Sequence, residues 1–93
     1  MRTIEYTRQF KRDYQRETRG PHRNTLETVF PQLLAALSHG RPLSAKYRDH
    51  PLTGEWKDFR DCHIRPGLVL IYRKHGDSVL QLIRLGSHSE LGL

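Results

Sequence analysis

Leu68-Val69-Leu70-Ile71-Tyr72-Arg73-Lys74-His75-Gly76-Asp77-Ser78-Val79-Leu80-Gln81-Leu82-Ile83-Arg84-Leu85 decides the architecture. Two strand-like runs, Leu68 to Lys74 and Ser78 to Leu85, are joined by His75-Gly76-Asp77, a separator short enough to be a turn. A third run, Trp56 to Ile64, precedes them across Arg65-Pro66-Gly67, which is again short and turn-forming. Strands joined this closely pair as an antiparallel meander, because parallel neighbours need a crossover of roughly a dozen residues.

Working back from the meander, Ile4 and Tyr6 alternate with Thr3 and Glu5, the pattern of a short strand. Thr7 can then cap a helix running to about Thr18, with Phe10 and Tyr14 as its apolar stripe and Arg8, Lys11, Arg12 and Arg16 on the remaining faces. Arg19-Gly20-Pro21-His22 ends it. A second helix is marked by Leu26, Val29, Leu33, Leu34 and Leu37, with Gly40 as its C-terminal cap. Pro31 lies inside it, and a proline there removes a backbone donor, so a kink or break is expected. Arg41 to Glu55 is irregular, which places His50 on a loop. The whole of 1–93 reads as one α+β domain: a short N-terminal strand, two helices, then a three-strand antiparallel meander with the helices on one sheet face.

A 93-residue chain buries only a small core, which leaves little room for a large internal cofactor. No cofactor is expected. Sixteen Lys and Arg against ten Asp and Glu give +6 and a pI near 10.0, which favours polyanionic partners such as RNA, DNA or an acidic protein. No apolar run approaches the roughly 18 residues of a membrane span, and the N-terminus lacks a signal-peptide core, so a cytoplasmic location is expected. The lone Cys62 forbids an internal disulfide and agrees with that compartment.

Chemistry concentrates in Tyr47-Arg48-Asp49-His50-Pro51-Leu52 and Arg60-Asp61-Cys62-His63-Ile64, with His88 further on. Strand alternation puts Phe59, Asp61, His63 and Arg65 on one face and Arg60, Cys62 and Ile64 on the other. With helices behind the sheet, the Asp61 and His63 face is left free for an extended RNA strand. Metal-free RNA cleavage needs a base for the ribose 2′-hydroxyl, an acid for the leaving 5′-oxygen and cations for the phosphorane. Histidine suits both proton roles because it titrates near neutrality. The candidates are His50, Asp61, His63 and His88, with Lys46, Arg48, Lys57, Arg60, Arg65 and Arg84 as phosphate cations. His22 and His75 read as turn residues and His39 as a helix-end residue. Tyr47 and Trp56 read as core aromatics before stacking platforms. No pair of histidines or cysteines has the close spacing of a zinc site, so no metal is expected.

The segments Tyr47-Arg48-Asp49-His50-Pro51-Leu52, Gly54, Trp56-Lys57, Arg60-Asp61, His63-Ile64, Leu70-Ile71-Tyr72 and Gly86-Ser87-His88-Ser89-Glu90-Leu91 resemble YafQ-type toxins of the RelE/ParE superfamily. These are mRNA interferases of bacterial type II toxin–antitoxin systems. The resemblance implies a RelE-like fold, ribosome-dependent cleavage of mRNA at the decoding site of the 16S rRNA, and inhibition by a cognate antitoxin. The matching site positions are His50, Asp61, His63 and His88. Two positions depart from the family pattern: Gly67 stands where an aspartate is common, and Gly92 where an aromatic is common. A ParE-like toxin that binds a topoisomerase without cutting RNA, and a catalytically weakened RNA-binding homologue, are the alternatives on the same fold.

Overall fold

The computed structural model describes all 93 residues. β1 (Thr3–Tyr6) leads into α1 (Arg8–Thr18) and α2 (Arg23–Ser38); β2 (His50–Pro51), β3 (Arg60–Arg65), β4 (Leu68–His75) and β5 (Val79–Gly86) follow, and α3 (His88–Leu91) ends the described elements. The sheet runs β1-β5-β4-β3-β2. The expected meander is present as β3, β4 and β5, all antiparallel, while β1 pairs parallel to β5.

Alternation along the central strands builds two apolar layers. Leu68, Leu70, Tyr72, Leu80, Leu82 and Leu85 face α1 and α2 and join Phe10, Leu26, Phe30, Leu33 and Leu37 in the main core. Val69 and Ile71 point the other way, where Leu91 of α3 covers them together with Leu52, Trp56, Phe59 and Ile83. The second sheet face is therefore partly roofed, contrary to the open surface expected, and α3 is a third helix on the side opposite α1 and α2.

Local chemistry explains the boundaries. Thr7 caps α1 by accepting from the Phe10 N–H at 3.2 Å, and its hydroxyl donates to Leu82 O at 2.8 Å, fastening the helix start to β5. α2 passes through Pro31 without the expected break. The lost donor costs about 3 kcal/mol in a helix interior, and burial of Leu26, Phe30, Leu33 and Leu37, about 1.5–3 kcal/mol each, outweighs it. The third strand starts at Arg60 rather than Trp56, because Gly54, at φ +65, opens a one-turn 3-10 helix over Gly54–Trp56. His50 is correspondingly not on a loop: the Leu52 N–H donates to Phe59 O at 3.0 Å and closes a short β2–β3 hairpin.

Candidate active site

Residues far apart in sequence meet at the β2, β3 and β5 ends. His50 is the cross-strand partner of Asp61, so both lie on the sheet face away from α1 and α2, and alternation adds His63. His50 Nε2 approaches Asp61 Oδ1 to 3.0 Å. The His63 ring centre is 6.0 Å from that of His50 and 4.8 Å from that of His88. His88 opens α3, whose start is fixed reciprocally: Ser87 Oγ accepts from the Glu90 N–H at 3.2 Å and Glu90 Oε1 from the Ser87 N–H at 2.9 Å. Those hydrogen bonds, with help from Arg16, hold the Glu90 carboxyl below its ordinary value.

The electrostatics of the set are uneven. Asp61 is 1% exposed. Burial raises its pKa, although His50, His63 and His88 pull the other way. Its Oδ1 is within ion-pair reach of His50 but has no aligned hydrogen bond, an orphaned acceptor aimed into the site. His63 is shifted down, chiefly by burial and further by His88, His50 and Arg48, against the opposing pull of Asp61. His50 Nδ1 lies 2.6 Å from Arg48 O, so both of its ring nitrogens face oxygen. A neutral imidazole has one N–H, so in that form His50 can donate to only one of the two oxygens.

A buried brace holds this corner. Arg48 has φ +48, the only positive φ outside glycine. The next residue, Asp49, accepts from the fully buried Tyr72 hydroxyl and from Arg60 Nε at 3.3 Å. The bonds to Tyr72 and Asp49 raise the Arg60 pKa although burial alone would lower it. Sequence reading missed Asp49 and Tyr72: a tyrosine in an apolar strand reads as core, and nothing local marks its hydroxyl.

The expected phosphate cations divide. Lys46 and Arg48 are exposed beside the histidines, and Lys57 is exposed on the turn before β3. Arg60 is committed to Asp49. Arg65 leaves the face that simple alternation gives it, because the β3–β4 register shifts between His63 and Arg65, and its Nε donates to Thr25 Oγ1 of α2 at 3.3 Å. Arg84 is bound to Asp13 of α1, Nε to Oδ2 at 2.7 Å, and is not available as a phosphate ligand. Tyr47 packs against the core with the Lys46 ammonium 5.2 Å from its ring centre, and Trp56 lies edge-on to Phe59 over the second apolar layer.

The donor set also suits a metal. His50, Asp61 and His63 each offer one ligand atom, all within 4.8 Å of one another, and the orphaned Asp61 oxygen is among them. Imidazole with carboxylate suits copper, nickel or zinc. Linear spacing rules could not find this trio, because it is assembled across the β2–β3 hairpin. Beside the histidines opens a cavity of about 600 Å³, bounded by His63 and His88, by Lys46, Tyr47 and Arg48, and by Val29, Ile64, Arg65 and Pro66.

The family described as "Bacterial toxin of type II toxin-antitoxin system, YafQ" matches residues 2–92. The chain belongs to the YafQ toxin family. The mRNA interferase toxin YafQ of Escherichia coli K12 is 38% identical over 91 residues, covering 97% of this chain and 95% of the relative. A metal-bound toxin from Helicobacter pylori is 40% identical and aligns at a TM-score of 0.86 over 98% of this chain and 99% of that one. YafQ in the E. coli DinJ–YafQ complex aligns at 0.78 with 37% identity, covering 98% of each chain. No helix here is long and apolar enough to cross a membrane.

The two departures from the YafQ pattern have structural settings. Gly67 lies in the β3–β4 turn, where an added Cβ would meet only the His22 ring, at 3.5 Å. Gly92 ends α3 at φ +72, a left-handed conformation that an aromatic residue would adopt only with strain.

Proposed function

We propose that this protein is a metal-independent endoribonuclease that cuts mRNA on the ribosome, in the cytoplasm, by 2′-hydroxyl attack. The observation that carries the reading is the run of three imidazoles over one buried carboxylate. His63, biased toward its neutral form, takes the 2′-hydroxyl proton. The 2′-oxygen attacks phosphorus, the P–O5′ bond breaks, and protonated His50, beside Asp61 in the free protein, gives its Nε2 proton to the leaving 5′-oxygen. The products are a 2′,3′-cyclic phosphate and a 5′-hydroxyl end. Lys46 and Arg48 stabilise the charge that develops on the phosphorane oxygens. His50 and His63, 6.0 Å apart between ring centres, act on a phosphate held above the two rings, and His88, 4.8 Å from His63, helps to keep His63 uncharged.

The partner is an antitoxin, as for the E. coli relative solved with DinJ. Charge complementarity with a +6 chain favours an acidic segment laid across the histidines. A metal ion such as the H. pylori toxin structure holds would take His50, Asp61 and His63 as its ligands here. An ion there occupies the proton-transfer groups, so copper or nickel should inhibit cleavage and a chelator restore it.

Purified ribosomes programmed with mRNA supply the test. The wild type should cut and leave cyclic phosphate ends, while His63→Ala should lose roughly 10²- to 10⁴-fold in rate with ribosome affinity little changed. Topoisomerase inhibition without RNA cleavage would replace this reading with the ParE-like one. Ribosome binding without cleavage would leave an RNA-binding homologue.

A further inference from the structure

His88 is the one imidazole of the set that does not stand on the sheet. It opens α3, a single turn of 4 residues, and a helix this short has too few internal hydrogen bonds to fix its own orientation. Leu91, three residues on and so on the same side as His88, anchors that side by packing on Val69 and Ile71. Glu90 lies about 200° round the helix from His88, and there it meets Arg16 of α1.

Arg16 serves oxygens on three elements. On its own helix Nε donates to Glu17 Oε2 at 3.0 Å and Nη1 to Asp13 Oδ1 at 3.1 Å. At the end of β5, Nη2 donates to Leu85 O at 2.8 Å, and on α3 Glu90 Oε2 is 3.4 Å from Nε. Both α1 carboxylates are buried, Asp13 4% and Glu17 8% exposed, so the guanidinium they hold is aimed, although its own side chain is 43% exposed. A planar fork can serve several oxygens in fixed directions, which an ammonium cannot. The closure is tight: a Cβ on Gly86 would stand 2.8 Å from Arg16 Nη2 and 3.2 Å from Glu90 Oε1. The two side chains thus meet over the backbone just before His88.

We propose that Arg16 is a positioning residue for the site: it ties α3 to α1 and to the end of β5, and so fixes the rotation of the turn that holds the His88 ring against His63. The consequence for cleavage rests on the nuclease reading above; the placement of the ring does not. The Arg16–Glu90 pair joins two side chains that are each 43% exposed, so it adds little to stability, and what it supplies is direction.

Single-turnover cleavage of ribosome-bound mRNA is to be measured for Arg16→Ala, His88→Ala and the double variant, with ribosome affinity and thermal unfolding in parallel. Arg16→Ala should cut about 10- to 100-fold more slowly, the scale of a small misplacement near the reacting groups, with ribosome affinity almost unchanged. Beside His88→Ala the same substitution should alter the rate by less than about twofold, because a residue that acts through His88 then has nothing to place. An unchanged rate in Arg16→Ala, a loss that persists in full beside His88→Ala, or a loss matched by lost ribosome affinity overturns the proposal. Glu90→Gln keeps an oxygen for the Ser87 N–H and removes the charge that faces Arg16; it should slow cleavage without adding to the loss in Arg16→Ala, and additive losses would break the link. A measurement on the free protein stands apart from activity. The wild type should show a nuclear Overhauser cross-peak between the His63 and His88 rings, whose centres are 4.8 Å apart, and Arg16→Ala should weaken it by about half or more. The cross-peak between Phe10 and Phe30 in the main core, ring centres 6.1 Å apart, should stay as it is. A wild type that cuts nothing would defeat the nuclease reading and leave this measurement to decide the positioning, and a His63–His88 cross-peak undiminished in Arg16→Ala overturns it in either case.

Discussion

Asp13→Ala tests how the C-terminal end of the sheet is held. Asp13 is 4% exposed and sits under the end of β5. Its Oδ2 accepts from the buried Leu85 N–H at 2.9 Å and from Arg84 Nε at 2.7 Å, and its Oδ1 from Arg16 Nη1 at 3.1 Å. Removing the carboxylate leaves the Leu85 N–H without an acceptor, at about 1–3 kcal/mol. It also strands the Arg84 guanidinium, whose side chain is only 23% exposed. Loss of one partner from such a buried pair costs about 3–5 kcal/mol, and because the two losses overlap, that range is the expectation for the whole substitution. Arg16, with a side chain 43% exposed, adds under about 1 kcal/mol. Against a total stability of about 5–15 kcal/mol, the midpoint of thermal unfolding should drop by about 12 °C or more. Asp13→Asn keeps an oxygen for the Leu85 N–H and should lose roughly half as much. Urea unfolding, followed by the single Trp56 and by far-ultraviolet circular dichroism at constant m, measures the difference. A loss below about 1 kcal/mol for Asp13→Ala would show that water replaces these partners and that the network does not fasten β5 to α1.

Cleavage should rise with pH along a limb whose midpoint lies below about 6.5, the ordinary histidine value, because His63 is shifted down and must be neutral to act. Asp61→Asn removes the one neighbour that raises His63, so its residual activity should show that limb at still lower pH; an upward shift would contradict the assignment. The same shift links to folding: the unfolded chain protonates His63 first, so this residue's contribution to stability is present above about 6.5 and fades as pH falls toward its folded value. Tyr72→Phe deletes one hydroxyl and should cost about 1.5–3 kcal/mol in urea, and cleavage should fall further than the loss of folded protein accounts for. An unchanged rate per folded molecule would remove the Asp49 brace from the positioning of His50. Gly67→Asp meets only a contact of ordinary length with His22, so it should fold within about 0.5 kcal/mol of the parent and raise the cleavage rate. A fall in rate would show that the acidic group does not fit this chain's site.

The legible parts of the fold were those with strong local signals. β4 and β5 announce themselves by apolar runs between turn residues, and Thr7 by its place before an amphipathic stretch. β2 has two residues and α3 four, too few for any periodicity, and both exist because of what they pack on: Leu52 and Leu91 cover Val69 and Ile71. Register shifts were equally silent, and one of them turns Arg65 toward α2. Arg84 was misread because nothing near it in sequence names Asp13 as its partner, 71 residues away. His50, Asp61, His63 and His88 could be gathered from residue type and strand parity. Their unequal protonation could not, because it follows from burial and from carbonyl and carboxylate positions that only the folded chain supplies.

The parallel pairing of β1 with β5 fixes when, as well as how, this protein becomes itself. Glu5 and Gln81, 76 positions apart in sequence, meet across this pairing, so the sheet cannot close until almost the entire chain is present. Contacts this distant slow folding, since the loop must be closed before the contact rewards it. During synthesis at about 5–20 residues per second, β1 and α1 emerge seconds before the strand they need. His88 comes later still, so an emerging polypeptide holds two of the three imidazoles and no finished sheet to mount them on. The assembled site is thus a property of the finished fold alone, absent from every shorter length of the emerging chain.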